Sequence, residues 1–202
     1  MEMDSFIDKR DGEIYRTVKI GDQLWLAENL RYKCEGALSY GGNLDEGSDP
    51  LVKCFGLLYH WGSAAAAVPE GWHLPSIDEW RELIATVGGS LSQKTDIGDE
   101  VYSEAARHLK SRDLWQVDEE IPVPCSLDDF NFTAFPVGCM DEFALAERSW
   151  CARFWCAEGQ KKVGIPSSHG CLFQRRDFGK RLERFFDRML HPLHQGLVYF
   201  RP

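Results

Sequence analysis

Hydrophobic residues recur at helical spacing in and directly after the segment PEGWHLPSIDEW, which covers residues 69–80. Ser76 can cap the amides of the next turn, and Glu79 can reach back to the Ser76 amide, which together form a capping box. The apolar positions that follow are Ile77, Trp80, Ile84 and Val87. Their spacing predicts an amphipathic helix over 76–87, and the Gly-Gly pair at 88–89 predicts its end. No nucleophile, metal-ligand pair or phosphate loop accompanies this pattern, so it specifies a scaffold and not a reaction.

Short β-rich runs predict strands towards both ends of the chain. Residues 14–20 and 24–27 form a predicted hairpin that turns through the Gly-Asp-Gln sequence at 21–23. In the last third, alternating aromatic and small residues predict short strands around Phe130, Phe132, Phe135, Trp150, Phe154, Trp155, Leu172, Phe173 and residues 197–200. Elsewhere the sequence predicts an alanine helix at 63–67, a loop at 92–101, a short helix at 104–110 and an acidic excursion at 117–129. Segment 178–190 fits either a helical stripe or strand and loop.

Helices in the first half, flanked by strands at both ends, predict an α+β domain whose two termini pair in one sheet. The chain has 202 residues, of which 44% are hydrophobic, and this is ample for a packed core. No stretch has the composition of an interdomain linker, and no internal repeat is present.

Charge and hydropathy exclude two classes of function. The net charge of −9 opposes general binding to a phosphate backbone, so nucleic acid is an unfavourable partner. No apolar run approaches the roughly 20 residues that span a bilayer. The start of the chain lacks the charged and apolar regions of a signal peptide, which leaves two alternatives: a cytoplasmic protein, or one whose leader precedes Met1.

Seven cysteines are present, and no two of them form a CxxC pair. An odd number leaves at least one thiol unpaired within the chain or paired with another chain. Most are expected to be small buried hydrophobic residues. Cys34 and Cys54 form the favoured bridge if the compartment is oxidising.

Six blocks of sequence carry a family resemblance. They are DGEIYRTVKIGDQLWLAENL (11–30), FGLLYHWGSA (55–64), GWHLPSIDEWRELI (71–84), LKSRDLW (109–115), DDFNFTAFPVG (128–138) and FWCAEG (154–159). In this order they are similar to the Fibrobacter succinogenes major paralogous domain family. The resemblance implies one domain over 1–202, with its core at about 8–202, and a C-type lectin-like fold shared with formylglycine-generating enzymes, with short antiparallel sheets and long irregular loops. It also implies a bacterial secreted or surface location, and leaves the biochemical role undefined.

The chain departs from the family at two positions. Members often carry cysteines where this chain has Val68 and about where it has Arg201. Because both are missing together, the resemblance implies that they form a disulfide pair in other members. Here packing and sheet hydrogen bonds must hold the termini instead, unless the environment is reducing.

The sharpest enzymatic hypothesis concerns Cys151 and Cys156 in the segment SWCARFWC. Formylglycine-generating enzymes hold copper with a similarly spaced cysteine pair, and thiolates suit Cu(I). The resemblance therefore implies a copper-dependent cysteine oxidase as an alternative function. The glycine and arginine pattern that flanks the pair in those enzymes is absent, so two ordinary core cysteines are the competing interpretation.

Histidines and carboxylates give weaker candidates for metal sites. His191 and His194 could supply two ligands only in a tight turn, and a solvated turn is favoured. Acidic pairs such as Asp128 with Asp129 could hold a structural calcium ion, since lectin-like folds bind calcium in long loops. The calcium-loop and sugar motifs of calcium-dependent lectins are absent, so solvated acidic loops are the default and no cofactor is expected.

The leading hypothesis is a non-enzymatic binding or adhesion module that recognises a protein or glycan partner. Its motivation is the scaffold-type motifs and the lack of an assembled catalytic set. A basic excess in segment 171–190 could steer an anionic ligand, although an amphipathic face with its charges outward is the favoured interpretation of that segment. The candidate contact residues are Trp150, Phe154, Trp155, Arg175 and Arg176. A purely structural domain of a surface protein is the third alternative.

Overall fold

The computed structural model describes residues 3–39, 50–94, 100–116, 126–140, 145–146, 151–166, 172–175, 194–195 and 200–201. The predictions for segment 178–190, for His191 and for the side chains of Trp150 and Arg176 lie outside these residues.

The described elements comprise short strands and four helices. The strands are β1 Met3–Ile7, β2 Ile14–Ile20, β3 Gln23–Leu26, β4 Ala37–Leu38, β5 Leu58–Tyr59, β6 Ser90–Lys94, β7 Glu100–Ser103, β8 Cys139–Met140, β9 Leu145–Ala146, β10 Cys151–Cys156, β11 Gly159–Pro166, β12 Leu172–Arg175, β13 His194–Gln195 and β14 Phe200–Arg201. The helices are α1 Pro50–Phe55, α2 Trp61–Ala67, α3 Ile77–Thr86 and α4 Ala105–Leu109. Three of these helices lie in the first half, where α2 and α3 coincide with predicted helices and α1 does not. None of the described helices is long and apolar enough to cross a membrane.

The strands form three sheets. A four-stranded sheet has the order β1-β2-β3-β14, an eight-stranded sheet has the order β4-β5-β13-β10-β11-β12-β7-β6, and β8 pairs with β9. All neighbours pair antiparallel except β10 with β13, which run parallel. The predicted α+β class is therefore confirmed, while the lectin-like assignment remains a prediction.

The two ends of the chain meet in the four-stranded sheet. Strand β14 pairs with β3, so that Phe200 lies opposite Trp25 and Arg201 opposite Leu24. Strand β3 also pairs with β2, which pairs with β1. Both ends of the chain therefore contribute strands to one sheet, as predicted. The first and last strands, β1 and β14, stand at its opposite edges and do not pair with each other.

The elements that were predicted correctly are those with a short-range signal in the sequence, such as a helix cap or a tight turn. Ser76 Oγ accepts a hydrogen bond from the Glu79 amide at 3.2 Å, and the Ser76 amide donates to Glu79 Oε2 at 2.6 Å. This is the predicted capping box, and α3 follows it directly. The predicted hairpin is also present, with Ile20 opposite Gln23 across a two-residue turn. Helix α4 lies within the predicted range 104–110.

Two predictions of secondary structure were wrong, and several elements were not predicted. The predicted loop at 92–101 contains most of β6 and the start of β7, which pair with each other because residues 90–94 can form an edge strand of polar side chains. The aromatic segment 130–135 is not a strand; isolated bridges and side-chain hydrogen bonds hold it instead. Strand β1, helix α1 and the eight-residue strand β11 were among the elements not predicted, because their sequences mix apolar with charged or polar residues without a clear period.

Two hydrophobic clusters lie against opposite faces of β10. The first includes Trp25, Trp80, Phe132 and Phe154, whose rings pack with centroids 5.1 to 6.4 Å apart. The second includes Trp155 together with residues of the four-stranded sheet and α2. Each aromatic pair adds about 0.5–1.5 kcal/mol beyond the burial of its area. Strand β10 is consequently covered on both faces, so that Phe154 lies in the first cluster and Trp155 in the second.

Candidate functional site

The aromatic residues predicted to contact a partner on β10 are buried. Phe154 is 1% exposed and Trp155 is 3% exposed. Trp155 Nε1 donates to the carbonyl of Tyr59 at 2.9 Å, which ties β10 to β5. Both side chains therefore stabilise the core, since alternate residues of β10 enter the two clusters.

Cys151 and Cys156 are also buried, at 6% and 0% exposure. Cys156 lies in the same cluster as Phe154, whereas strand alternation places Cys151 on the face of Trp155. They also stand at opposite ends of the strand, with Cα atoms about 16 Å apart. A shared metal ion needs the two sulfur atoms within about 5 Å, because metal–thiolate bonds are about 2.3 Å long. The strand therefore does not bring the two thiols together for copper.

The other predicted cysteine pair is not joined either. Cys34 and Cys54 are both unbonded thiols in this structure. Cys34 Sγ donates to the carbonyl of Ser63 at 3.9 Å, and burial raises the pKa of this thiol.

The acidic pair at 128–129 is engaged within the protein. Both Asp128 carboxylate oxygens accept hydrogen bonds from Thr133, one from its amide at 2.8 Å and one from its hydroxyl at 3.0 Å. Burial raises the pKa of Asp128, and these hydrogen bonds oppose the shift. Asp129 pairs with His108 Nδ1 at 2.9 Å. Within the described ranges, no group of three or more His, Cys, Asp or Glu side chains is placed to hold a metal ion.

An exposed tryptophan lies at the start of α2. Trp61 is 39% exposed, whereas the five other tryptophans that the structure describes are at most 9% exposed. Exposure of a large aromatic side chain to water does not stabilise a fold, because its apolar area is not buried. Aromatic residues are enriched in recognition surfaces. Trp61 is therefore the strongest candidate for a contact residue in the described part of the chain.

The Trp61 ring is held in one orientation. Its Nε1 donates to the carbonyl of Cys156 at 3.1 Å. Gly159 lies beside the ring, since a Cβ atom built there would be 3.9 Å from Trp61 Cε2 and 4.0 Å from Cζ2. Gly159 also has a φ of 76°, a left-handed conformation that favours glycine. The indole N–H is thus already used, and the exposed part of the ring presents carbon atoms.

The turn that follows Cys156, residues 157–159, lies beside the Trp61 ring through Gly159 and also contacts the start of α3. The Ala157 amide donates to the Pro75 carbonyl at 3.0 Å. The Ile77 amide donates to Glu158 Oε1 and Oε2 at 3.0 and 3.2 Å. A carboxylate at this position interacts favourably with the positive end of the helix dipole. Both α2 and α3 are therefore attached to the same turn.

A histidine that precedes α3 and a second carboxylate in the first turn of α3 lie close to each other. His73 Nε2 lies 2.8 Å from Glu79 Oε1, while Glu79 Oε2 accepts from the Ser76 amide. The side chain of His73 is 41% exposed and that of Glu79 is 23% exposed. We define the Trp61 face as Trp61, His73, Glu79, Glu158 and Gly159. These residues are linked through the contacts of the turn 157–159 with the Trp61 ring and with the start of α3. The carboxylate and imidazole groups among them are held by hydrogen bonds.

Arg175 is the predicted site residue that the backbone brings to this end of the sheet. In the register, Trp155 lies opposite Lys162, and Lys162 lies opposite Arg175. Arg175 is therefore level with the end of β10 from which the turn 157–159 starts, about 10 Å from Trp155 across two strand spacings. Trp150 precedes the other end of β10 in the sequence.

Sequence reasoning did not select Trp61 as a site residue. Its helix, α2, continues with Gly-Ser-Ala-Ala-Ala-Ala, and Ala64 and Ala67 are buried. The spacing of 61, 64 and 67 would place Trp61 on that buried face. The sequence did contain one signal for the exposure of Trp61. The residues that follow it in α2 are small, so they offer the large indole ring little apolar surface to pack against.

Comparison with known proteins identifies one family. The family model described as the Fibrobacter succinogenes major domain matches residues 18–186. No curated protein matches the chain. No solved structure matches it either.

Proposed function

We propose that this chain, which belongs to the Fibrobacter succinogenes major domain family, acts as a non-enzymatic recognition module for a protein or glycan partner. The Trp61 face forms its contact surface in this proposal, with Arg175 at its border. A secreted or surface location and a lectin-like scaffold belong to the same proposal, and the family resemblance supports both.

The observation that carries the proposal is the exposed and immobilised Trp61 ring. Tryptophan is among the residues most often found as a binding hot spot. A side chain that is already fixed by the Cys156 carbonyl loses little conformational entropy when a partner binds. Exposure and rigidity together are what a recognition residue requires, whereas a ring that served only packing would be covered.

The groups beside Trp61 favour recognition over a reaction. Glu158 accepts from the Ile77 amide and Glu79 accepts from Ser76, so each carboxylate has a structural partner at the start of α3. The opposite faces occupied by Cys151 and Cys156 weigh against the copper-oxidase alternative. We retain recognition as the function that the geometry supports best.

Glycan and peptide arrays test this proposal directly. The wild type is compared with Trp61→Ala, and Leu91→Ala serves as the control because Leu91 is 52% exposed on the edge strand β6. We expect at least one ligand that binds the wild type and Leu91→Ala but is lost in Trp61→Ala. Circular dichroism of each variant checks the fold. If no arrayed ligand depends on Trp61, the proposal is rejected.

A further inference from the structure

We infer that the Trp61 face binds a neutral glycan. This inference rests on the proposed function and names the ligand class for the same surface. It follows from the chemistry of the exposed ring and from the state of the polar groups around it.

The ring of Trp61 offers an apolar contact without a hydrogen-bond donor. Its N–H is engaged by the Cys156 carbonyl, so a ligand meets the carbon atoms of the indole. The face of an aromatic ring carries partial negative charge. The C–H groups on one side of a pyranose ring carry partial positive charge and form a flat apolar surface. A sugar ring can therefore stack on the exposed part of Trp61.

The two carboxylates of the Trp61 face, Glu79 and Glu158, are hydrogen-bond acceptors. An ionised carboxylate has about four lone-pair sites. Glu158 accepts one amide, that of Ile77, through both oxygens. Glu79 accepts from both the amide and the hydroxyl of Ser76 through Oε2, and its Oε1 pairs with His73, whose imidazole is partly exposed. Lone pairs remain on both carboxylates, and the hydroxyl groups of a sugar are suitable donors to them.

The charges of this face favour a neutral ligand. An anionic glycan would meet two carboxylates, against the single cation Arg175 proposed for the border, on a chain with a net charge of −9. A cationic peptide would compete with the positive end of α3 for Glu158 and with His73 for Glu79, because both carboxylates already face these groups. Hydroxyl donors need no full counter-charge. A neutral polyol therefore fits the remaining acceptors best.

Isothermal titration calorimetry with defined probes tests this inference. The probes are neutral hexasaccharides of β-linked glucose, xylose, mannose and N-acetylglucosamine, an anionic oligogalacturonate, and a hexa-arginine peptide. We expect at least one neutral hexasaccharide to bind the wild type and Leu91→Ala. Trp61→Ala should weaken this binding by about tenfold or more, as for a hot-spot side chain, while Trp61→Phe should retain most of it because the aromatic face remains.

The probes separate failure of the glycan inference from failure of the proposed function. Binding of oligogalacturonate or hexa-arginine that depends on Trp61, without binding of a neutral hexasaccharide, overturns the ligand class and leaves recognition standing. Absence of binding by every probe also overturns the inference. The proposed function is rejected only if the arrays, too, contain no ligand that depends on Trp61.

Discussion

The indole N–H of Trp61 donates to the carbonyl of Cys156 at 3.1 Å, across 95 positions of sequence. This hydrogen bond joins the start of α2 to the end of β10, one residue from the turn that also binds the start of α3. A single contact thus connects the exposed ring to the buried strand. The orientation of Trp61 follows from the core and does not depend on a ligand.

Replacement of Trp61 separates the hydrogen bond from the ring. Trp61→Phe removes the N–H and keeps an aromatic group, so we expect a loss of about 1 kcal/mol in the free energy of unfolding. Trp61→Ala also removes the buried part of the ring and should cost about 2 kcal/mol. Urea denaturation monitored by circular dichroism measures both. Equal stability of Trp61→Phe and the wild type would show that the hydrogen bond to Cys156 contributes nothing.

The capping box should contribute measurably to stability. Ser76→Ala removes the acceptor for the Glu79 amide, and we expect a loss of about 1 kcal/mol. Asp78→Ala is the matched control, because Asp78 lies in the same turn, has a side chain that is 89% exposed, and pairs only with the exposed Arg81 among its described contacts. Such a surface pair contributes little. Thermal unfolding of both variants provides the comparison, and an equal loss in the two would argue against a specific role for the cap.

Two glycines with positive φ separate the steric cost of an added Cβ atom from the cost of a left-handed backbone conformation. Gly56 has a φ of 71°, and a Cβ atom there would lie 2.3 Å from Asn29 Cβ. Gly12 has a φ of 79° with nothing within 4 Å of its Cβ position. We expect Gly12→Ala to cost about 1 kcal/mol for the left-handed backbone alone. Gly56→Ala should cost about 3 kcal/mol or more, because the chain must also move.

Denaturant unfolding of the two glycine variants distinguishes the contributions. Similar losses would mean that the close approach of Gly56 to Asn29 is absent in solution. A greater loss in Gly12→Ala would contradict the described packing outright.

Glu28 predicts a pH dependence of stability. Burial alone would raise the pKa of Glu28, but hydrogen bonds from Arg31 and Arg16 outweigh it, so the pKa lies below its ordinary value of 4.5. A carboxyl group whose pKa is lower in the folded state than in the unfolded state stabilises the protein at a pH above its unfolded-state pKa. This stabilisation is lost as the pH falls from about 4.5 through the lower folded value.

The variant Glu28→Gln isolates that contribution. Its free energy of unfolding should be lower than that of the wild type at pH 7, and the difference should shrink as the pH falls below 4.5. Urea denaturation at pH values from neutral to acidic measures the difference. A gap that stays constant, or that widens in acid, would contradict the assigned interactions of Glu28 with Arg31 and Arg16.

Signals confined to a few neighbouring residues predicted local structure well. The Ser76 and Glu79 pair predicted the start of α3, because capping uses side chains and amides only three positions apart. The hairpin of β2 and β3 followed from its two-residue turn for the same reason. The shared sheet of the termini also agreed with prediction, since short strands at both ends need partners.

The contact residues could not be derived in this way. Phe154 and Trp155 are successive apolar residues of β10, and nothing local indicates that one hydrophobic cluster covers each face of the strand. The exposure of Trp61 likewise depends on where α2 meets a turn 95 positions away. Burial on both faces and exposure at a helix start are properties of the assembled sheet. Sequence patterns alone therefore placed Phe154 and Trp155 at the surface and did not select Trp61.

The most direct test of the account is a ¹H–¹⁵N correlation spectrum that follows the seven tryptophan indole signals during titration with the neutral hexasaccharides. Assignment uses the Trp61→Phe variant, in which one indole signal disappears. The account predicts that ligand shifts the Trp61 indole and the amides of residues 157–159, while the signals of buried tryptophans such as Trp25 and Trp80 stay in place. Shifts confined to other surfaces, or an unchanged Trp61 signal at saturating ligand, would contradict it.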